Sequence, residues 1–213
     1  MKGFLLGALL ILLIGIGGFA YRSAVEYSTQ PIACPFDAEI CPDGTSVSRT
    51  GLSCTFPACP PPNVSLANVN IAFAIPQGFA PMALPDPSSV AAYEMASTSA
   101  SSTAAIIIRR YSIDASSTAL AVIQQTAINP VSGTPAPITA FSSTFLGTHR
   151  FTVVSLERSG GTVDTAYYLA RGTDVLRFDA IDTGVVNWTD PNLNISVLPA
   201  REALRKLLTT LVG

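Results

Sequence analysis

The sequence has few of the side chains that most enzymes use for proton transfer, and few basic side chains. Its 213 residues include one histidine, His149, and 12 basic residues, of which only two are lysine. A serine triad needs a histidine as base, and there is no G-x-S-x-G elbow, P-loop or dinucleotide-binding glycine motif. The net charge is −2 and the arginines are scattered, so the basic stripe of nucleic-acid-binding proteins is missing. We therefore expect no catalysis, no cofactor and no nucleic-acid partner.

One long apolar run, Phe4 to Tyr21, has 18 residues without a charge. This length meets the lower limit for a helix that crosses a membrane. The small residues of Gly18-Phe19-Ala20 would also suit the cleavage site of a signal peptide. Residues 1–22 are therefore predicted as an anchor in membrane lipid through residues 4–21, or as a leader that is cleaved. The anchor is the favoured alternative, and either one places the rest of the chain outside the cytoplasm, secreted if the leader is cleaved.

After a polar spacer over residues 23–33, all four cysteines fall within residues 34–60: Cys34, Cys41, Cys54 and Cys59. An even number of clustered cysteines in an exported segment predicts two disulfides. A metal site is not predicted, because the spacing lacks the C-x2-C pairs of structural zinc sites. Three pairings are possible, and we favour the interleaved one, Cys34 with Cys54 and Cys41 with Cys59. Each bridge would then contribute about 3 kcal/mol of stability.

The string CPDGTSVSRTGLSCTFPACP, residues 41–60, resembles a four-cysteine CPDG motif. That motif recurs in uncharacterised membrane-anchored exported proteins of Candidate Phyla Radiation (Patescibacteria) bacteria, and the resemblance implies a bacterial exported protein. A fainter likeness to Kazal-type protease inhibitors rests on the Cys near an Asp-Gly turn. It implies, as an alternative function, protease inhibition through the Cys41–Cys54 loop. Asp43 and Arg49 in this loop are candidate contact residues.

A Pro-rich linker over residues 61–67 precedes a predicted domain over residues 68–213. Alternating apolar residues such as Ile71, Phe73 and Ile75 predict strands, and the Ser159–Thr162 connector predicts a hairpin. Ile106, Ile107 and Ile108 are apolar on both faces, which is typical of a central strand covered on both sides. The other predicted strands cover residues 90–95, 138–146, 149–158, 163–171 and 175–182. This succession predicts an antiparallel meander.

The last of these strands has a sharply alternating pattern. Leu176, Phe178 and Ala180 alternate with Arg177 and Asp179, so we expect one buried face and one wet face. Asp174, Asp179 and Asp182 are expected to pair with nearby arginines across the sheet surface.

Two helices are predicted in the domain. Asp114 or Ser116 would cap the first, in which Leu120, Ile123 and Ala127 share one apolar stripe. The second begins at Pro199, and its stripe recurs at i, i+3, i+4, i+7, i+8 and i+11 from Ala200 to Leu211. It could lie on lipid or pack on the sheet, and its short length favours packing.

The order of strands, helix, meander and helix predicts an α+β domain with an antiparallel sheet and packed helices. The strand that ends in Ile75-Pro76-Gln77-Gly78-Phe79, the meander and the terminal helix resemble the PsbP-like group, which includes the DcrB-like proteins. That resemblance implies binding or assembly at a membrane without catalysis. The Trp188 loop is the third candidate contact, because aromatic residues are favoured at interfaces. We therefore predict a membrane-tethered binding or assembly module for an unknown envelope protein or ligand, with an envelope-polymer hydrolase as a further alternative.

Overall fold

The computed structural model describes residues 2–28, 33–41, 45–95, 102–128 and 133–213. The described residues form two compact units. The first is drawn from residues 1–39 and 47–58, and the second from residues 40–46 and 59–213.

The chain begins with helix α1, Lys2–Ser28, followed by strands β1, Ala38–Ile40, and β2, Ser46–Ser48. These two strands form a two-stranded sheet. Among the described residues, no helix is long and apolar enough to cross a membrane. The predicted transmembrane anchor therefore has no support from the structure.

The larger unit contains nine strands and two α-helices among its described residues. The strands are β3 Val64–Leu66, β4 Ile71–Phe73, β5 Phe79–Pro81, β6 Ser89–Met95, β7 Ala104–Ser112, β8 Phe141–Leu146, β9 His149–Ser159, β10 Thr162–Ala170 and β11 Asp174–Asp182. The helices are α2 Ala119–Thr126 and α3 Pro199–Thr209. Seven strands form one sheet in the order β5-β6-β7-β11-β10-β9-β8, with antiparallel neighbours throughout. Strands β3 and β4 form a separate antiparallel pair. The α+β class with an antiparallel sheet is confirmed.

Helix α3 covers one face of the seven-stranded sheet. Its apolar stripe is buried over Ala200, Ala203, Leu204, Leu207 and Leu208, and these side chains join the larger core cluster with the inward residues of β7 and β11. Beyond the helix, Val212 exchanges two main-chain hydrogen bonds of 2.8 Å with Ala72. The prediction that this helix packs on the sheet is confirmed.

The other face of the sheet has a smaller core, to which α2 contributes Val122 and Ile123 and the residue after it contributes Ala127. The central position of β7 explains why Ile106, Ile107 and Ile108 are all buried, as their pattern predicts. The predicted stripe of α2 is wrong at one residue, because Leu120 is 60% exposed. The helix begins at Ala119, and the Oγ1 of Thr118 accepts from the Ala121 amide at 3.2 Å. The predicted caps lie too early, and Leu120 falls in the exposed first turn.

The expectation of a wet face on β11 is also wrong. Arg177 is 8% exposed and Asp179 is 0% exposed. Strand β11 lies at the centre of the sheet, between β7 and β10, and the end of α2 packs over this part of it. The charged side chains are therefore enclosed, and they satisfy one another instead of water.

Candidate functional site

All four cysteines are bonded in pairs. Cys34 is bonded to Cys54, and Cys41 to Cys59, which is the interleaved pairing that the sequence favours. Asp43 lies outside the described residues. Arg49 is described, and its side chain has several partners within the first unit.

Arg49 is fixed by three groups within its own unit. Its Nε donates to both carboxylate oxygens of Asp37, at 2.8 and 3.0 Å, and its Nη1 donates to the Cys54 carbonyl oxygen at 3.0 Å. The guanidinium also stacks 4.1 Å from the centre of the Phe56 ring. Hydrogen bonds from Arg49 lower the pKa of Asp37, despite some desolvation, so this pair stays charged over the physiological pH range.

A surface hollow of about 640 Å³ lies beside Arg49. We call it the Arg49 hollow, and it is lined by residues 33–38 and 48–51. The Phe36 side chain on its rim is fully exposed, and Leu52, the next residue along the chain from this lining, is also exposed. The bridge between Cys34 and Cys54 ties the two segments of the lining together. The hollow thus combines a fixed cation with an exposed aromatic ring on a cross-linked backbone.

Trp188, the third predicted contact, is half-buried in a turn over residues 186–189. Asn187 in this turn has a φ of 61°. The turn is attached to the β9–β10 hairpin, because the Val185 amide donates to the Gly161 carbonyl oxygen and Arg158 donates to the Asp190 carbonyl oxygen. The structure therefore holds Trp188 in the second unit, and it does not belong to the Arg49 hollow.

The α2 face of the sheet contains a network of ions. The sequence predicted that Asp179 pairs with an arginine, but it did not predict that the pair is buried. Arg177 donates to Asp179 at 2.6 Å and to the Thr126 carbonyl oxygen at 2.6 Å. Arg109 donates to the second oxygen of Asp179 and, at 2.8 Å, to Asp86. One buried carboxylate thus joins two guanidinium groups, and Asp86 supplies the second negative charge.

The electrostatics of this network favour the charged forms of Arg177, Arg109 and Asp86. Burial is the largest single influence on the pKa of Arg177 and lowers it, but Asp179 and the other neighbouring groups together raise it above its ordinary value, and a similar balance raises the pKa of Arg109. Burial would raise the pKa of Asp86, yet hydrogen bonds from Ser88 and Arg109 bring it to about 2. Because its charges are paired in this way, we interpret the network as structural.

A second buried carboxylate, Asp174, is also shared between two arginines. It accepts from Arg110 at 2.7 Å and from two nitrogens of Arg171 at 2.7 Å each. Hydrogen bonds from Arg171 are the largest cause of its lowered pKa. Arg171 also donates to the Val69 carbonyl oxygen at 2.5 Å. This cluster connects the start of β11 to the segment before β4, and it confirms the pairing that the sequence predicted for Asp174.

The third aspartate of this strand, Asp182, has a different role. Its Oδ1 accepts from the Ala200 amide at 2.8 Å, at the start of α3. Burial raises its pKa, although two amide hydrogen bonds oppose that rise. It therefore acts as a cap for α3 supplied from the sheet.

His149 lies at the start of β9, in a hollow formed with residues 147–148 and 209–213. Its ring nitrogens are 3.3 Å from Thr148 Oγ1 and 3.3 Å from the Gly213 main-chain oxygen. In the described part of the chain, His149 forms no hydrogen bond with an Asp or Glu side chain. Nor do any three His, Cys, Asp or Glu side chains among those residues form a group that could hold a metal ion.

No known protein family matches this chain, and no curated protein matches it. A solved protein of Bacteroides thetaiotaomicron VPI-5482 is similar at 9% sequence identity and a TM-score of 0.38. The match covers 67% of this chain and 44% of that protein. This likeness is too distant to inform the fold or the function.

Among the described residues, the Arg49 hollow brings a predicted contact residue together with further binding features. The sequence signal for Arg49 was its position between two cysteines. No comparable signal marks Phe36 or Asp37, since their proximity to Arg49 depends on the bridge between Cys34 and Cys54. The burial of the ion network was missed because alternation alone does not show whether a polar face is covered.

Proposed function

We propose that the protein is a non-enzymatic, extracytoplasmic binding or assembly module that contacts a protein partner through the Arg49 hollow. The observation that carries this proposal is the fixed guanidinium of Arg49 beside the exposed ring of Phe36. Arginine and aromatic side chains supply much of the binding energy in protein interfaces. A side chain that is already held in place loses less conformational entropy when the partner arrives.

The unused nitrogen of Arg49 indicates the chemistry of the contact. Its Nε and Nη1 are bonded within the unit, and its Nη2 forms no hydrogen bond with the described residues. That nitrogen is available to a carboxylate or a carbonyl oxygen of the partner. Phe36 would supply the apolar area around it. The proposed partner is therefore an envelope protein with an acceptor group next to an apolar patch.

The proposed compartment follows from the bridges. Disulfides persist in oxidising compartments and are rare in the cytosol. The apolar run over residues 4–21 would direct export, either as a membrane anchor or as a cleaved leader. The resemblances to exported bacterial proteins with a CPDG motif and to the PsbP-like group agree with a role at the cell envelope.

Site-specific photo-crosslinking in native cells would test the proposal. A benzophenone amino acid at Phe36 is expected to form an adduct with one or a few discrete proteins, and Arg49→Ala should reduce its yield at least tenfold. The matched control is the same amino acid at Val186, an exposed apolar position in the second unit. Adducts that are the same from both positions, or that persist with Arg49→Ala, would contradict the proposal.

Protease inhibition through the Cys41–Cys54 loop is the alternative function. An inhibitor presents a side chain to the protease pocket, whereas Arg49 is bonded to Asp37 and stacked on Phe56. The geometry therefore favours the binding module. Stoichiometric inhibition of a serine protease by the purified chain would make protease inhibition the favoured function. The hydrolase alternative has no supporting geometry at His149 in the described residues.

A further inference from the structure

The two edges of the seven-stranded sheet differ in how they are protected. Edge strand β5 has three residues and ends in Pro81, which has no amide hydrogen to donate. The opposite edge, β8, has six residues, Phe141–Leu146, with the sequence FSSTFL. It contains no charge and no proline, and its register with β9 shows no bulge. Such an edge lacks the features that usually prevent pairing with another strand.

The hairpin geometry shows which groups of β8 face outward. Leu146 and His149 flank the two-residue turn Gly147-Thr148, and residues in this position exchange both hydrogen bonds. Alternation then directs the main-chain groups of Ser143 and Phe145 away from β9. The Phe141 amide agrees with this pattern, because it donates to the Ile138 carbonyl oxygen and not to β9. Among the described residues outside β9, no main-chain group bonds those of Ser143 or Phe145.

The side chains of the two outward residues lie on one side of the sheet. Ser143 is exposed, and Phe145 is 70% exposed. Arg150, opposite Phe145 on β9, donates from its Nε to Ser143 Oγ at 3.3 Å. This leaves an exposed aromatic ring next to a row of main-chain donors and acceptors.

We propose that β8 pairs antiparallel with β8 of a second copy of this chain, about a twofold axis at Thr144. In this register Ser143 lies opposite Phe145 of the second copy. The twofold axis also places Phe145 opposite Ser143 of the second copy. Each pair exchanges two main-chain hydrogen bonds, which gives four in total. These bonds use the outward donors and acceptors of Ser143 and Phe145, and the bond from Phe141 to Ile138 is kept.

The side chains fit the same arrangement. The two Phe145 rings are diagonal neighbours across the axis, about 7–8 Å apart at their Cα atoms, and aromatic rings make contact over this distance. The two Arg150 side chains lie three strand spacings apart, or about 14 Å, where their repulsion is largely screened at physiological salt. This self-complementarity favours a second copy over an unrelated strand. The proposal uses a surface in the second unit and does not depend on the Arg49 hollow.

Cysteine cross-linking of the full chain in mild detergent would test the register. Residues opposite each other in a non-hydrogen-bonded antiparallel pair have Cα atoms about 4.5 Å apart, within the range for a disulfide. Thr144→Cys is therefore expected to give a covalent dimer on mild oxidation. Ser142→Cys is the matched control, because its counterpart would lie about 14 Å away. It should cross-link at least tenfold less.

A second pair of variants tests the surface without an added thiol. Phe145→Lys places a charge at the edge and should weaken dimerisation at least tenfold in sedimentation experiments. Val186→Lys alters an exposed apolar residue elsewhere in the second unit and should leave dimerisation unchanged. The proposal fails if the unmodified chain is monomeric at 100 µM, which is the result expected if β8 receives a strand of another protein. It also fails if the two cysteine variants cross-link equally, or if Phe145→Lys dimerises as the unmodified chain does.

Discussion

The buried carboxylate of Asp179 gives the sharpest test of how this sheet is held together. Asp179 is 0% exposed, and Arg177 and Arg109 have side chains only 10% and 15% exposed. Asp179→Ala would leave two guanidinium groups in a covered site without the anion that they share. Breaking a buried ion pair in this way costs about 3–5 kcal/mol. Since domains are stable by only about 5–15 kcal/mol, this one change should remove a large part of the stability.

The measurement is urea and thermal unfolding of the full chain in mild detergent, monitored by circular dichroism. The melting temperature should fall by about 10 °C. Glu202→Ala is the matched control, because Glu202 pairs with Lys206 on the helix surface at 2.7 Å, and such exposed pairs contribute about 0.5 kcal/mol. A loss for Asp179→Ala no larger than that of the control would refute the conclusion that the network is covered.

A double variant separates the charge from the packing. Replacing both partners, with Arg177→Met and Asp179→Leu, removes the buried opposite charges together. Its loss should be smaller than the sum of the two single losses by at least about 1 kcal/mol, since residues in one network do not act independently. Additive losses would mean that these two side chains are not coupled.

Three further predictions concern a turn, a carboxylate and a bridge. Gly147→Ala should cost about 2 kcal/mol, because Gly147 has a φ of 58° and a Cβ there would lie 2.8 Å from a main-chain oxygen of α3; Gly172→Ala, where the space is open, should cost nothing measurable in the same unfolding assay. Asp86 has its pKa lowered to about 2, so its contribution is present above about pH 4 and is lost as the pH falls through 2. The difference between the unmodified chain and Asp86→Asn, about 1 kcal/mol at pH 7 after screening, should vanish below pH 2 in unfolding curves, and a constant difference would contradict the pairing. Replacing Cys41 and Cys59 together by serine opens a bridge with a sequence separation of 18 residues and should cost about 3 kcal/mol in calorimetry, whereas a loss below 1 kcal/mol would show that the bridge contributes little.

Local patterns were sufficient for the longer elements of this protein but not for the three-residue strands β1, β2, β3 and β5. The alternation in β11 and the apolar stripe of α3 each follow from the geometry of one strand or one helix, and both predicted elements are present. The even number of cysteines likewise indicated two bridges. The cap of α2 was placed too early, because Asp114, Ser116 and Thr118 are all acceptable caps and only the packed helix selects Thr118.

The candidate site was only partly accessible from the sequence. Arg49 could be named because it lies in a loop between cysteines, but its partners Asp37 and Phe56 could not. They are 12 and 7 positions away along the chain, and among the described residues no single helix or strand spans either separation. The bridge between Cys34 and Cys54 brings the chain into a shape in which these groups meet.

The sequence by itself determined the longer strands, the two helices of the larger unit, the α+β class and the even set of bridged cysteines, because each depends on neighbours along the chain. Tertiary structure alone decided the order of the strands in the sheet and thus the burial of Arg177 and Asp179. Whether a polar face meets water depends on which elements cover it, and those elements come from distant parts of the chain. For the same reason, the sequence of β8 does not show that this strand lies at the edge of the sheet.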